Sequence, residues 1–114
     1  MQIYKVASNT WTLGAPMPTA RANLALATCG NVILALGGRT GPAFLGQASN
    51  TAVVEAYEVS KNAWTTLPLT PMPTAKSEHG AVSHGNHVYA TGSGIFGAAR
   101  SPHEALTCSS LFRN

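Results

Sequence analysis

The chain repeats itself, and this repeat constrains its fold more than any other feature of the sequence. Residues 4–12 (YKVASNTWT) return 53 positions later as residues 57–65 (YEVSKNAWT), with the seven-residue spacing from Tyr to Trp kept. Residues 16–21 (PMPTAR) return as residues 71–76 (PMPTAK) at an offset of 55. A fixed period near 50 residues, made of strands and turns, is typical of propellers and arrays in which one unit cannot bury its faces alone.

The local pattern inside each unit predicts β-hairpins. Two apolar runs, 24–29 and 32–36, lie on either side of Gly30 and Asn31, a pair suited to a two-residue turn. The same arrangement returns one period later around Gly85 and Asn86. Further strands are expected at 51–59 and 63–67, while the prolines at positions 68, 71 and 73 deny backbone donors, so that segment is expected to cross between units.

The order of these features resembles the kelch repeat over about residues 1–95. A Gly-Gly pair closes an apolar strand, a variable stretch follows, then a Tyr, six residues and a Trp, and finally Met-Pro-x-x-Arg/Lys. The resemblance implies an all-β, kelch-type β-propeller segment of four-stranded antiparallel blades, with the innermost strand lining a central channel. Two positions depart from the family pattern: Lys5 replaces a common acidic residue and Ser93 replaces a Gly. The motif residues are Gly37, Gly38, Tyr57 and Trp64, with Tyr4, Trp11 and Gly92 in the flanking units.

On this resemblance, the chain holds one complete blade between two half-blades. Residues 1–15 are expected to be the C-terminal half of a preceding blade, 16–70 the complete blade with its connections, and 71–95 the N-terminal half of a following blade. Residues 96–114 fit neither a third strand nor the repeat, so an irregular tail is expected there. Trp11 and Trp64 are expected to pack between neighbouring blades, where large rings fill the taper.

About two blades leave open sheet edges, because propellers typically have at least four blades. Two explanations are consistent with this. The chain is a piece of a longer propeller, which the sequence favours, or copies close a ring. In such a ring, the last two strands of one chain complete a blade with the first two strands of the next.

Composition excludes several classes of protein. The chain has 114 residues, 45% of them hydrophobic and only 10% charged, which is unlike a disordered segment. Its seven Lys and Arg residues are scattered, so no stripe suited to nucleic acid forms. No signal-peptide pattern or membrane-spanning apolar run is present, so no membrane partner is expected and the compartment stays open.

The cysteines and histidines give no clear site. Cys29 ends an apolar run and is interpreted as a small core residue, whereas Cys108 lies in the tail; a disulfide is compatible with the sequence, but no motif supports one. His84 and His87 flank a turn and are expected to face one another, which supplies two ligands at most. We therefore expect no metal site and no cofactor. The four histidines are His79, His84, His87 and His103.

Function is expected in the connections between strands, because packing occupies the blades themselves. Arg and aromatic residues are enriched at interface cores, and both long connections contain them. We predict a non-enzymatic protein-binding module, completed by further kelch blades in cis or in trans. Alternatives are part of a propeller enzyme of the oxidase or sugar-isomerase type, a purely structural blade pair, or loop Phe side chains that pack on their own blades. Arg21 and Lys76 occupy one repeat position and are expected to support the crossing. The partner-binding candidates are Arg39, Phe44, Gln47, Phe96 and Arg100.

Overall fold

A computed structural model describes residues 1–42, 49–65, 69–92 and 103–109, and within these ranges the chain forms nine β-strands in three antiparallel sheets. The first sheet pairs β1 with β2, the middle sheet has the order β3-β4-β5-β6, and the third sheet has the order β7-β8-β9. No helix in the described ranges is long and apolar enough to span a membrane. The strands are β1 (Gln2–Lys5), β2 (Thr10–Leu13), β3 (Ala25–Cys29), β4 (Val32–Leu36), β5 (Val54–Glu58), β6 (Ala63–Trp64), β7 (Gly80–His84), β8 (His87–Thr91) and β9 (Glu104–Thr107).

The middle sheet confirms the predicted four-stranded antiparallel blade. Its β3–β4 hairpin turns at Gly30, which has a φ of 58°, and Gly85 has a φ of 57° in the equivalent turn of β7–β8. Along β3, Ala25, Ala27 and Cys29 are buried while the intervening side chains are exposed. This alternation is the pattern of a strand with one face in a core.

The core lies between the middle sheet and the third sheet. Leu34 of β4 is fully buried and Val88 of β8 is 1% exposed, and both belong to one apolar cluster with Val54 and Met72. β3 packs against β7 and β8, and the Ser83 hydroxyl of β7 donates to the backbone carbonyl of β3 at 2.7 Å. The third sheet therefore covers the buried face of the middle sheet.

Two strand predictions extend too far. The third strand was expected over 51–59, but β5 covers only Val54–Glu58 because Thr51 instead forms a bridge with Lys76 of the next connection. The outermost strand was expected over 63–67, whereas β6 covers Ala63–Trp64. Residues 66–68 lie outside the described ranges.

The expectation that residues 96–114 form an irregular tail is wrong at β9. This segment pairs with β8, with Ala90 opposite Glu104 and Val88 opposite Leu106. The third sheet is therefore a three-stranded unit and not the predicted two-stranded half-blade. The physical reason is that β9 places Leu106 against the apolar cluster and Glu104 beside a buried cation.

A disulfide joins Cys29 at the end of β3 to Cys108, which directly follows β9. Cys29 is buried in the core, as interpreted, and the disulfide that no motif supported is formed. The two cysteines are 79 residues apart in sequence, and their Cα atoms lie 5.6 Å apart. Closing a loop of this length stabilises a fold by about 4 kcal/mol in the chain-entropy description. The bond ties the end of β9 to β3 of the middle sheet.

Candidate binding surface

Three stretches of chain meet at the end of the sheets where the connections run. Arg39 forms isolated bridges with Ala22 on one side and Asn50 on the other, and Thr51 forms one with Lys76. The Gly38 N–H also donates to the Lys76 carbonyl at 2.7 Å. The β4–β5 connection is thus bonded both to the connection before the middle sheet and to the connection after it.

Arg39, a predicted partner-binding residue, makes an ion pair inside the chain. Its guanidinium lies 2.9 Å from Glu78 Oε1, and its side chain is only 11% exposed. The Asn23 amide donates to the same carboxylate oxygen at 2.9 Å. Asn23 and Glu78 occupy one repeat position, and both have positive φ, 58° and 53°. The structure gives Arg39 a positioning role at the base of the β4–β5 connection, and its contact with a partner stays a prediction.

The base of this connection is closed by hydrogen bonds. The Thr40 N–H donates to the Ser49 carbonyl at 3.0 Å, and Ser49 is 5% exposed. This hydrogen bond holds the two described ends of the connection, Thr40 and Ser49, together. The other predicted contact residues, Phe44, Gln47, Phe96 and Arg100, lie outside the described ranges.

Gly37 and Gly38 pass close to the neighbouring connections, which explains the Gly-Gly pair. Gly37 has a φ of 65°, and a Cβ there would lie 2.5 Å from the Lys76 carbonyl oxygen. Gly38 has a φ of 105°, and a Cβ there would lie 2.7 Å from the Ala22 carbonyl oxygen. Only glycine combines this backbone conformation with such close approach. Gly92, the equivalent of Gly37, has a φ of 82°.

Arg21 lies at the centre of a buried polar cluster. Its guanidinium donates to the Gly37 carbonyl at 2.6 Å and pairs with Glu55 Oε1 at 2.6 Å, and its side chain is completely buried. Glu55 Oε2 also accepts a hydrogen bond from the Thr19 hydroxyl at 2.7 Å. Arg21 thus joins the crossing segment to β4 and β5, in line with its expected supporting role.

The same cluster recurs one repeat later with Lys76 and Glu104. Lys76 Nζ lies 3.6 Å from Glu104 Oε1, the Lys76 side chain is completely buried, and the Thr74 N–H donates to Glu104 at 3.3 Å. Glu104 was not singled out by the sequence reasoning. A signal for it exists, because Glu-Ala occurs at 55–56 and again at 104–105, and each Glu lies opposite an equivalent Ala of the neighbouring strand.

His79 is half-buried beside this second cluster, and both of its ring nitrogens are buried. Burial lowers the pKa of its imidazole below the usual 6.5, and the positive charge of Lys76 lowers it further, while an interaction with the Leu36 backbone partly opposes both effects. Among the described residues, no group forms a hydrogen bond of normal geometry with either ring nitrogen. His79 packs against Gly37, since a Cβ on that glycine would lie 2.9 Å from His79 Cε1.

The remaining histidines face away from the core. His84 and His87 are Cα partners in the β7–β8 hairpin, which confirms that they lie opposite each other. His103 stacks on Tyr89 with a centroid distance of 5.4 Å. Within the described part of the chain, no three His, Cys, Asp or Glu side chains form a group suited to a metal ion.

The two repeated aromatic pairs have different surroundings. Trp64 packs on Tyr57, and its indole N–H donates to the Ala15 carbonyl at 2.9 Å, so it lies at the junction with the preceding connection. Trp11 packs on Tyr4 but is 68% exposed. Among the described residues no connection lies against Trp11 as Ala15 lies against Trp64, so the packing of Trp11 between blades stays a prediction.

An open groove separates the first sheet from the middle sheet. It has a volume of about 960 Å³ and is lined mainly by apolar side chains, among them Ile3, Leu26, Ile33 and Tyr57. Leu26 is 59% exposed there. The side of the third sheet that corresponds to the Leu26 side of the middle sheet is covered by the middle sheet. The groove is therefore a junction between repeats at which no described inner strands cover the middle sheet.

Comparison with known proteins agrees with this architecture. The kelch motif matches residues 20–68, which include the middle sheet. Alpha-scruin from Limulus polyphemus is 31% identical over 90 residues, which cover 79% of this chain and 9% of that protein. The chain thus corresponds to a small part of this relative's length. The chain belongs to the kelch-repeat family and folds as a segment of a kelch-type β-propeller.

Proposed function

We propose that the chain is a non-enzymatic, protein-binding module whose contact surface is the end of the propeller segment that carries the β4–β5 connection. The closed base of this connection is the observation that supports the proposal most strongly. Thr40 and Ser49 are bonded to each other, and Arg39 is held by Glu78. A rigid base lowers the conformational cost of presenting the stretch 41–48 to a partner.

We further propose that the chain acts as part of a larger propeller. The open groove beside Leu26 and the exposed indole of Trp11 support this, because both are junction features that are covered elsewhere in the chain. We call the end of the segment that carries the β4–β5 connection the loop end. Its partner is expected to be a protein, since no described group suggests a metal or a nucleic acid.

Photocrosslinking tests the loop contact. p-Benzoylphenylalanine in place of Phe44 or Phe96 is expected to give a discrete crosslinked protein band in extracts of the source cells. The control is the same amino acid in place of Lys61, whose side chain is 71% exposed between β5 and β6 and which does not line the open groove. Gln47→Ala is expected to weaken the Phe44 crosslink. Equal labelling from all three positions, or none from Phe44 and Phe96, would contradict the proposal.

A further inference from the structure

β9 pairs with β8 in the third sheet as β5 pairs with β4 in the middle sheet, but β9 differs from β5 in its surroundings. In the middle sheet, Glu55 of β5 lies opposite Ala35, and β6 follows outside β5. In the third sheet, Glu104 of β9 lies opposite Ala90, the equivalent of Ala35, but the described residues add no strand outside β9. β9 is instead held by the bond from Cys108 to β3.

The β1–β2 hairpin has the features of β5–β6 but lacks inner strands. Tyr4 lies opposite Trp11, as Tyr57 lies opposite Trp64. The Tyr4 hydroxyl donates to the Asn9 side chain, as the Tyr57 hydroxyl donates to Asn62. Among the described strands, β1 pairs only with β2. Within the described ranges there is therefore an outer pair, β1–β2, without an inner pair, and an inner pair, β7–β8, whose outer place is taken by β9.

We propose that the Cys29–Cys108 disulfide is a latch that determines whether β8 pairs with β9 of its own chain or with β1 of a second copy. In the oxidised chain, the bond keeps β9 on the edge of β8 and excludes β1 of another copy. An external dithiol reduces the bond, yielding two cysteine thiols while the reductant becomes a disulfide. β9 is then displaced by β1 of a second copy, independently of any partner bound at the loop end.

The repeat predicts the register of the new sheet. Gln2 of the second copy lies opposite Ala90, and Tyr4 lies opposite Val88, as Glu55 and Tyr57 lie opposite the equivalent residues of β4. The resulting order, β7-β8-β1-β2, reproduces the middle sheet. The added hairpin remains attached to its own middle sheet, so the completed sheet lies between the middle sheets of the two copies.

This pairing covers the two exposed outer faces together. Val82 on the outer face of the third sheet is 57% exposed, and Leu26 on the open side of the middle sheet is 59% exposed. In the assembled pair, these side chains face each other across the groove of about 960 Å³. Thr28 of the second copy takes the place that Ser83 has at the existing junction, where the Ser83 hydroxyl bonds the β3 backbone. Burial of apolar area drives such association.

The buried cation at this junction favours β9 over the second copy. Lys76 lies 3.6 Å from Glu104, whereas an incoming β1 brings Gln2 to the equivalent position. The exchange therefore replaces a carboxylate with an amide beside a buried ammonium. A Gln2→Glu substitution restores the carboxylate, and a hydrogen bond to a charged group corresponds to about a tenfold change in affinity.

Light scattering coupled to size exclusion tests the latch. The oxidised chain is expected to have the mass of one copy, and the chain in dithiothreitol is expected to associate head to tail. Because each copy supplies about two blades, closed rings of roughly two to four copies are expected. Under reduction, Gln2→Glu is expected to associate at about tenfold lower concentration than the unmodified chain. Thr10→Glu on β2, which adds the same charge away from Lys76, is expected to leave that concentration unchanged.

A second variant keeps the test independent of reduction. Cys108→Ser removes the bond without a reductant and is expected to associate in the absence of dithiothreitol. Circular dichroism verifies that the sheets persist. A folded, reduced chain that stays monomeric, equal association of Gln2→Glu and Thr10→Glu, or a folded, monomeric Cys108→Ser would each overturn the proposal.

Discussion

The ion pair between Arg21 and Glu55 is expected to contribute far more stability than the other ion pair formed from β5. Glu55→Ala leaves a completely buried guanidinium without the carboxylate that lies 2.6 Å away, and it also removes the acceptor for Thr19. Breaking a buried pair in this way costs about 3–5 kcal/mol. Since a domain of this size has on the order of 5–15 kcal/mol in total, the loss is a large part of the free energy of unfolding.

Glu58→Ala is the matched control on the same strand. Glu58 pairs with Lys61 at 3.0 Å, but the Lys61 side chain is 71% exposed, so the loss is expected to be about 0–1 kcal/mol. Urea unfolding followed by tryptophan fluorescence measures both variants, with the slope of the transition compared to verify a common unfolding reaction. If the two variants lose equal stability, the buried cluster does not support the crossing segment as argued.

Two further predictions use the repeat as an internal reference. His79→Leu installs the residue found at the equivalent Leu24 and is expected to raise stability by about 1–3 kcal/mol. The folded-state pKa of His79 is lowered, so the unmodified chain is expected to lose stability as pH falls below the unfolded pKa of about 6.5. The His79→Leu variant is expected to lose less stability over the same range. Urea unfolding at pH 7.5 and pH 5.5 that shows the same loss of stability for both proteins would contradict this. Gly37→Ala is expected to destabilise the fold more than Gly30→Ala does. Gly30 also has a positive φ, but no atom lies within 4 Å of an added Cβ, so Gly30→Ala costs about 1–2 kcal/mol. Equal melting temperatures of the two variants would contradict the close approach of Gly37 to Lys76.

The repeat allowed the sheets to be predicted because turn residues and strand residues recur together. Asn9 and Asn62 occupy one repeat position and both have positive φ, 53° and 48°. The alternation along β3 likewise predicts a strand with one buried face. Such features depend on neighbours in sequence, so comparing two copies of the motif is sufficient to find them.

The contacts of the loop end were harder to predict because they join distant residues. Arg39 resembled an interface residue, since a single Arg in a long connection carries no sign of its partner. That partner is Glu78, 39 residues later, and its carboxylate reaches Arg39 only through the backbone bridges that align the connections. Sequence proximity gives no indication of such a pair.

β9 escaped prediction for a related reason. Its spacing from β8 differs from the spacing of β5 from β4, so Glu104 lies 49 residues after Glu55 and not 53 or 55. What the two strands share is a carboxylate opposite an Ala and beside a buried cation, which becomes visible only once Arg21 and Lys76 are recognised as buried. A burial requirement, more than a sequence period, identifies this strand.

The third sheet is not a copy of the middle sheet on its outer face, and this difference affects how a further sheet packs there. His84 and His87 of β7–β8 occupy the repeat positions that the buried Cys29 and Val32 occupy in β3–β4. Imidazole nitrogens need hydrogen-bond partners when buried, so the dry packing seen around Leu34 cannot be repeated on this face. A sheet that docks there has to bring polar groups of its own, and Thr28 beside Leu26 supplies a hydroxyl on the opposite outer face. The two open faces are therefore chemically distinct, which favours head-to-tail contact over contact between identical faces.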